Sequence, residues 1–283
     1  MQRRCVSVLF CLLLCLIAAA ARGQAPHVPP CDGLRWIVNT GSLKASQAAF
    51  PLDVQRKYFD SPCTFLVEPR NAPLDYQNWR GVRTRSAPSL EGVGQAVNDD
   101  AVSAVLYDDE AWAMTPGAEQ RQPAESACRA EELAHARGKI LIATPAIDLM
   151  RVLDPGAARG GRRFEAFAET RLTGAIAKCA DVYEIQAQGA EKDVEKFRKF
   201  VIAETRQARA ANPAVIVLAG ISTNPAGQQV TAEELLRAVQ SVRHEVDGFW
   251  LNIPAGGKYC PTCGAPQPQV AARLLGLLAG ETQ

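Results

Sequence analysis

An eight-stranded (β/α) barrel of the TIM type is the fold this sequence predicts, and three features predict it. Short apolar runs rich in Val, Ile, Leu and aromatic residues recur along the chain. Amphipathic helical stretches separate the later runs. Each run ends in polar residues or in Gly and Pro, as strands buried in a parallel sheet do. Strand, helix and strand at this spacing imply parallel neighbours joined by right-handed crossovers.

In chain order, the expected strands are 36–40, 64–68, 102–108, 139–144, 182–188, 214–222 and 246–253. A closed barrel needs eight, so the missing strand lies near 81–84 or the barrel is incomplete or irregular in its N-terminal half. Helices are expected over 126–137, stopping at Gly138, and over 164–178 and 191–211. Thr231 and Glu234 have the spacing of a capping box, which opens a helix running to His244. A last helix is expected over 269–279. A doubly wound open sheet is the alternative. It would carry a Gly-rich phosphate turn after the first strand, and Asn39-Thr40-Gly41-Ser42 is a poor version of one.

Residues 1–25 read as a signal peptide. Arg3 and Arg4 supply the positive start, 6–17 is apolar apart from Ser7, and Ala18 to Ala21 offers the small residues of a cleavage site. The run is short for a membrane span, although an uncleaved anchor is the alternative reading. Residues 26–283 are then one barrel domain, secreted or periplasmic, with no stable membrane anchor after cleavage. Lys and Arg number 31 against 30 Asp and Glu, scattered along the chain, so nothing suggests a nucleic-acid partner.

Export also decides how the cysteines read. Beyond the signal stand Cys31, Cys63, Cys128, Cys179, Cys260 and Cys263, an even set entering an oxidising compartment. Cys260-Pro261-Thr262-Cys263 looks like half a zinc knuckle, yet no second pair completes four ligands. Disulfides are expected instead, with Cys31–Cys63 and Cys260–Cys263 preferred.

Barrel strands alternate between lumen and helix layer, and barrel active sites sit at the strands' C-terminal ends. Alternation puts Glu184, Gln186 and Gln188 on one side of the 182–188 run. An unpartnered carboxylate facing a buried helix layer is costly, so this set should face inward. Leu106, Asp108 and Glu110 likewise share a side. Asp108 and Asp109 with Glu110 could instead be a helix N-terminus favouring acids. In the functional reading, one carboxyl raises the pKa of its neighbour and lets it donate a proton. The expected catalytic residues are Glu110 as acid, Glu184 as base or nucleophile and Asp108 tuning the acid. The expected substrate contacts are Asn39, Glu68, Asp109, Trp112, Gln186, Gln188, Trp250 and Asn252. Trp112 would stack on a sugar ring or pack its loop; Trp250 would line the pocket or fill the barrel.

The placement of other residues excludes chemistry. His27 lies in the Pro-rich lead-in, and His135 and His244 lie on expected helices. None is at a strand end, which disfavours histidine-ligated metals and Ser–His–Asp triads. Lys139 begins its strand, so a Schiff-base lysine is missing from the mouth. No P-loop, GxSxG or HExxH occurs. Carboxylates, amides and aromatics remain, which is what glycoside hydrolysis uses. No cofactor or metal is expected, and the expected partner is a carbohydrate.

The chain resembles the (β/α)-barrel glycoside hydrolases at this point. Tyr107-Asp108-Asp109-Glu110 is similar to the strand-end D-x-E of family 18 chitinases. That resemblance implies Glu110 as proton donor and Asp108 as its electrostatic partner. The chain departs from the pattern in lacking a longer acidic run before Tyr107, and Tyr183-Glu184 stands where a later Tyr-Asp would be. Three other readings stay open. Glu68, Asp108, Glu110 and Glu184 could hold Mg²⁺ or Ca²⁺ in a lyase or isomerase. The barrel could bind saccharide without cleaving it. It could also be a structural or interaction module with 108–110 a mere helix cap.

Overall fold

The computed structural model describes residues 26–69, 73–257 and 260–280. The expected signal peptide lies outside them. Eight parallel strands close into one barrel in chain order. They are β1 (Arg35–Asn39), β2 (Thr64–Glu68), β3 (Val82–Ala87), β4 (Ala104–Tyr107), β5 (Ile140–Ala143), β6 (Val182–Ile185), β7 (Ile216–Ser222) and β8 (Gly248–Asn252). Closure runs through β8 and β1, where Trp36 pairs with Phe249. At that seam a Cβ on Gly248 would lie 2.0 Å from the Arg35 carbonyl oxygen, so only glycine lets the two strands meet. A closed sheet removes the doubly wound alternative.

Alternation builds two cores. Ile37, Phe65, Val67, Val82, Leu106, Ile142, Val182 and Leu218 fill the lumen. Their opposite-parity neighbours, among them Val38, Leu66, Tyr183, Val217 and Phe249, pack under the helices. Those helices are α1 (Thr40–Ala45), α2 (Leu52–Phe59), α3 (Leu90–Ala96), α4 (Gly117–Arg121), α5 (Pro123–His135), α6 (Met150–Leu153), α7 (Pro155–Arg159), α8 (Arg163–Thr170), α9 (Leu172–Ala177), α10 (Val194–Ala211), α11 (Ala232–Val242) and α12 (Pro268–Gly280). Among the described residues, none is long and apolar enough to cross a membrane.

The eighth strand is β3, beside Gly81. Its outward residues are Arg83 and Arg85, and among the described residues the β2–β3 connection carries only a short 3₁₀ turn, Leu74–Tyr76. Paired arginines take the place of an apolar stripe on that face, and the strand loses its sequence signature. The stretch 164–178 is two helices, α8 and α9, broken at Arg171, whose φ of 57° is left-handed. The helix expected from 191 begins at Val194, because the Asp193 carboxylate accepts the Lys196 N–H at 3.0 Å and caps it there. The capping box at Thr231 and Glu234 is present in both directions, at 2.8 and 3.1 Å.

Three disulfides join Cys31 to Cys63, Cys128 to Cys179 and Cys260 to Cys263, and they fit an extracellular protein. The first ties the lead-in beneath β1 to the start of β2. Peptide mapping without reduction should recover these three pairs and no free thiol from the six. Replacing Cys31 and Cys63 by Ser should lower the unfolding free energy by about 2–4 kcal/mol in urea titrations. A different pairing, or no loss of stability, would contradict this arrangement.

Candidate functional site

The mouth at the strands' C-terminal ends gathers an acidic group from β4, β5 and β6. Asp108 follows β4 directly, and its N–H still reaches the Ala87 carbonyl of β3 at 2.9 Å, so barrel alternation carries one residue past the strand. Its carboxylate accepts from Thr144 Oγ1 at 3.2 Å and from Gln186 Nε2 at 3.4 Å. Gln186 also donates to the Thr144 carbonyl at 3.1 Å, bridging the ends of β5 and β6. Glu110 shares Asp108's side and hydrogen-bonds to it. Glu184 sits two residues deeper on β6, its side chain wholly enclosed, with neither oxygen finding a hydrogen-bond partner. Gly220 of β7 makes room for it: a Cβ there would lie 2.4 Å from Glu184 Oε1 and 2.3 Å from Gln188 Nε2.

Burial is the main force on these protons. It lifts Glu184 well above the usual carboxyl range, and the nearby charges of Asp108 and Glu110 push the same way. It also lifts Glu110, helped by the charges of Asp108 and Asp148 and by the hydrogen bond its protonated form donates to Asp108. Asp108 is raised by burial but held back by Thr144, Glu110 and Gln186. As one coupled pair, Asp108 and Glu110 lose a first proton at about 6 and hold the second to about 9. The retained proton belongs to Glu110. At neutral pH the pair therefore keeps Asp108 ionised and Glu110 protonated, above a protonated Glu184.

The loop carrying Glu110 is fixed on both sides. Thr115 Oγ1 donates to the Pro88 carbonyl at 2.7 Å and accepts from Trp112 Nε1 at 2.8 Å. Asp148, which follows β5, accepts the Ala111 N–H at 2.9 Å. Trp112 is half-buried in this loop.

Several expected residues are differently employed. Glu68 turns to the outer face of the sheet, where its oxygens accept from Arg83 at 2.8 and 3.0 Å. Asp109 also faces outward, with Tyr107 and Pro123 around it and both oxygens unpartnered. Burial and the charge of Glu119 push it up to about 7. Alternation explains both, since each is adjacent in sequence to a lumen-facing residue. Asn39 stands at the mouth but spends its Oδ1 on the Ser42 N–H that begins α1. Trp250 packs against the lumen core, its indole N–H without a partner. Gln188 reaches over Gly220, and Asn252 ends β8 opposite Ser222, half-buried. Lys139 donates to the Asp99 and Val102 carbonyls at the far end of the barrel.

Three residues were not anticipated from the sequence. Asp148 comes from a loop with no regular pattern. Gly220 could have been suspected as a glycine inside a β-rich run. Glu191 reads as part of a helix, yet it is wholly buried and accepts the N–H groups of Ser222, at 2.9 Å, and Gly189, locking the β6 loop to the end of β7. Among the described residues, no three His, Cys, Asp or Glu side chains are arranged to hold a metal ion.

No family model matches the sequence, and none of the curated proteins does. Solved structures with a similar chain trace include triosephosphate isomerase from Bartonella henselae, 11% identical over 77% of this chain and 92% of its own, with a TM-score of 0.41. The PgaB (BpsB) glycoside hydrolase domain from Bordetella bronchiseptica is 11% identical over 77% of this chain and 93% of its own, TM-score 0.47. The carboxyl transferase domain of Rhizobium etli pyruvate carboxylase is 9% identical over 86% of this chain and 48% of its own, TM-score 0.45.

The buried carboxyls set a pH dependence of stability. Glu184, Glu110, Asp109 and Glu191 all have raised values in the folded chain, the last two to about 7. The native state thus binds more protons than the unfolded chain, whose Asp and Glu titrate at about 4. Their stabilisation is complete below that value and is lost as pH rises toward the folded values. The Tm should fall by roughly 5 °C or more from pH 5 to pH 8, at about 2–4 °C per kcal/mol. Glu184→Gln should narrow that difference; an unchanged difference would mean that Glu184 does not hold its proton.

Proposed function

We propose that this chain is an exported glycoside hydrolase acting on an oligo- or polysaccharide by carboxylate acid catalysis. One observation carries the proposal: the Asp108 and Glu110 side chains meet at the barrel mouth, with Thr144 and Gln186 holding the Asp108 carboxylate. Glu110 donates its proton to the glycosidic oxygen as the bond from that oxygen to the anomeric carbon breaks. Water then adds to the anomeric carbon and gives a proton back to the Glu110 carboxylate, restoring the acid. The Asp108 carboxylate accepts the Glu110 hydrogen bond beforehand and balances positive charge developing at the anomeric carbon. Trp112 offers its ring to the sugar, and Gln186 and Asn252 offer hydrogen bonds to hydroxyls. Glu184, enclosed and protonated below them, is a positioning residue rather than the base that its place in the sequence suggests. Export through a cleaved signal peptide, residence outside the cytoplasm and a carbohydrate partner belong to the same proposal.

Glu110→Gln should lower kcat by about 10²–10⁴-fold, the usual contribution of a positioned acid, while leaving Tm within a few degrees. The active form needs Asp108 ionised and Glu110 protonated, so kcat/KM should be bell-shaped, with limbs at about 6 and about 9. Asp108→Asn should remove the acidic limb. Activity should survive thorough chelation. Reducing-sugar release from a polysaccharide panel measures all of these, and full turnover by Glu110→Gln would refute the assignment.

A further inference from the structure

Beside the carboxyl group, a cleft of about 670 Å³ opens over the ends of β1, β2 and β3 and runs outward along α3. Among the described residues the β2–β3 connection beside it supplies only a 3₁₀ turn, Leu74–Tyr76. Its size suits a ligand of several rings. Asn39, Glu68, Arg85, Ser86, Gln95 and Asp99 provide its polar lining. Ser86 and Gln95 are exposed, and Ser86 shares the lumen-facing parity of Val82.

The cleft adjoins the proposed catalytic pair. Its wall at Ala87 accepts the Asp108 N–H at 2.9 Å, and its wall at Pro88 accepts from Thr115, which also holds the Trp112 indole. Its charge is balanced. Arg85 Nη2 is bound by Asp99 at 2.6 Å, and neighbouring Arg83 is bound by Glu68. Neither guanidinium is left to pair with an anionic ligand, whereas amide, hydroxyl and backbone groups remain for hydroxylated ones.

We infer that this cleft binds further units of a neutral saccharide chain, so that the substrate is a neutral polymer crossing the mouth from the acid pair out through the gap between β2 and β3. The inference rests on the mouth being a saccharide site. The test titrates the Glu110→Gln protein with labelled neutral β-1,4-glucan and chitin oligomers and with anionic polygalacturonate oligomers, from dimer to hexamer. Affinity for a neutral series should rise about tenfold or more with length, and the anionic series should gain nothing. Ser86→Tyr and Gln95→Trp, each filling the cleft from an exposed position, should bring the hexamer-to-dimer ratio close to one. A gain that survives both fillings, a gain confined to the anionic oligomers, or no binding of any oligomer overturns the inference. Hydrolysis by the parent protein without dependence on chain length overturns it and leaves the proposed function standing. Length-dependent binding lost on filling, without hydrolysis by the parent, supports it and removes the hydrolase reading.

Discussion

Asp108, Glu110 and Glu184 act on one another's protons at the C-terminal ends of β4 and β6, and burial there makes three negative charges together unfavourable. Burial separates their fates. The deepest has no hydrogen-bond partner and keeps its proton. The most supported, Asp108, has Thr144 and Gln186 to hold a charge. Glu110 lies between them in character, protonated because its neighbour is not. An ionised carboxylate beside a protonated one is the arrangement in which an acid and an electrostatic partner coexist at neutral pH. The neighbourhood is built to preserve it: Gly220 leaves space for Glu184, and Thr115 and Asp148 hold the Glu110 loop.

The same reasoning ties the barrel's irregular side to its proposed substrate. Between β2 and β3 the outer layer is thin, and the sheet there presents Arg83 and Arg85 instead of apolar side chains. Exposed arginines on a sheet face need partners, and Glu68 and Asp99 supply them. That use withdraws Glu68 from the mouth and neutralises the adjoining cleft. The 3₁₀ turn described between β2 and β3 thus goes together with a charged strand, a re-employed carboxylate and an opening beside the acid pair.

Much of this was legible from alternation and little else. Seven strands and the main helices follow from buried runs whose both faces are apolar, and the inward turn of Asp108, Glu110, Glu184 and Gln186 follows from the same period of two. β3 was hardest to see because its outer residues Arg83 and Arg85 pair with Glu68 and Asp99 rather than presenting an apolar face to a helix. Glu68 and Asp109 were misplaced because strand-end position was weighed above parity. Asp148 was invisible, since nothing local marks a loop residue whose value lies in a backbone N–H thirty-odd residues earlier. Glu191 was hidden because a carboxylate beside a helix start reads as part of that helix until its hydrogen bonds are known.

Asp109 shows why parity is the stronger guide even past the end of a strand. Three acidic residues in succession invite reading as one cluster, yet the Asp108 N–H remains bound to Ala87, so the pleat persists. Successive side chains must then part company: Asp108 and Glu110 turn to the mouth, and Asp109 turns to the layer beneath α5. There it meets the charge of Glu119, itself occupied by the Tyr107 hydroxyl. A carboxyl in that position gains no partner and is tolerated because it can take a proton near neutrality. The backbone register, rather than the local density of charge, decides which acid can reach a substrate.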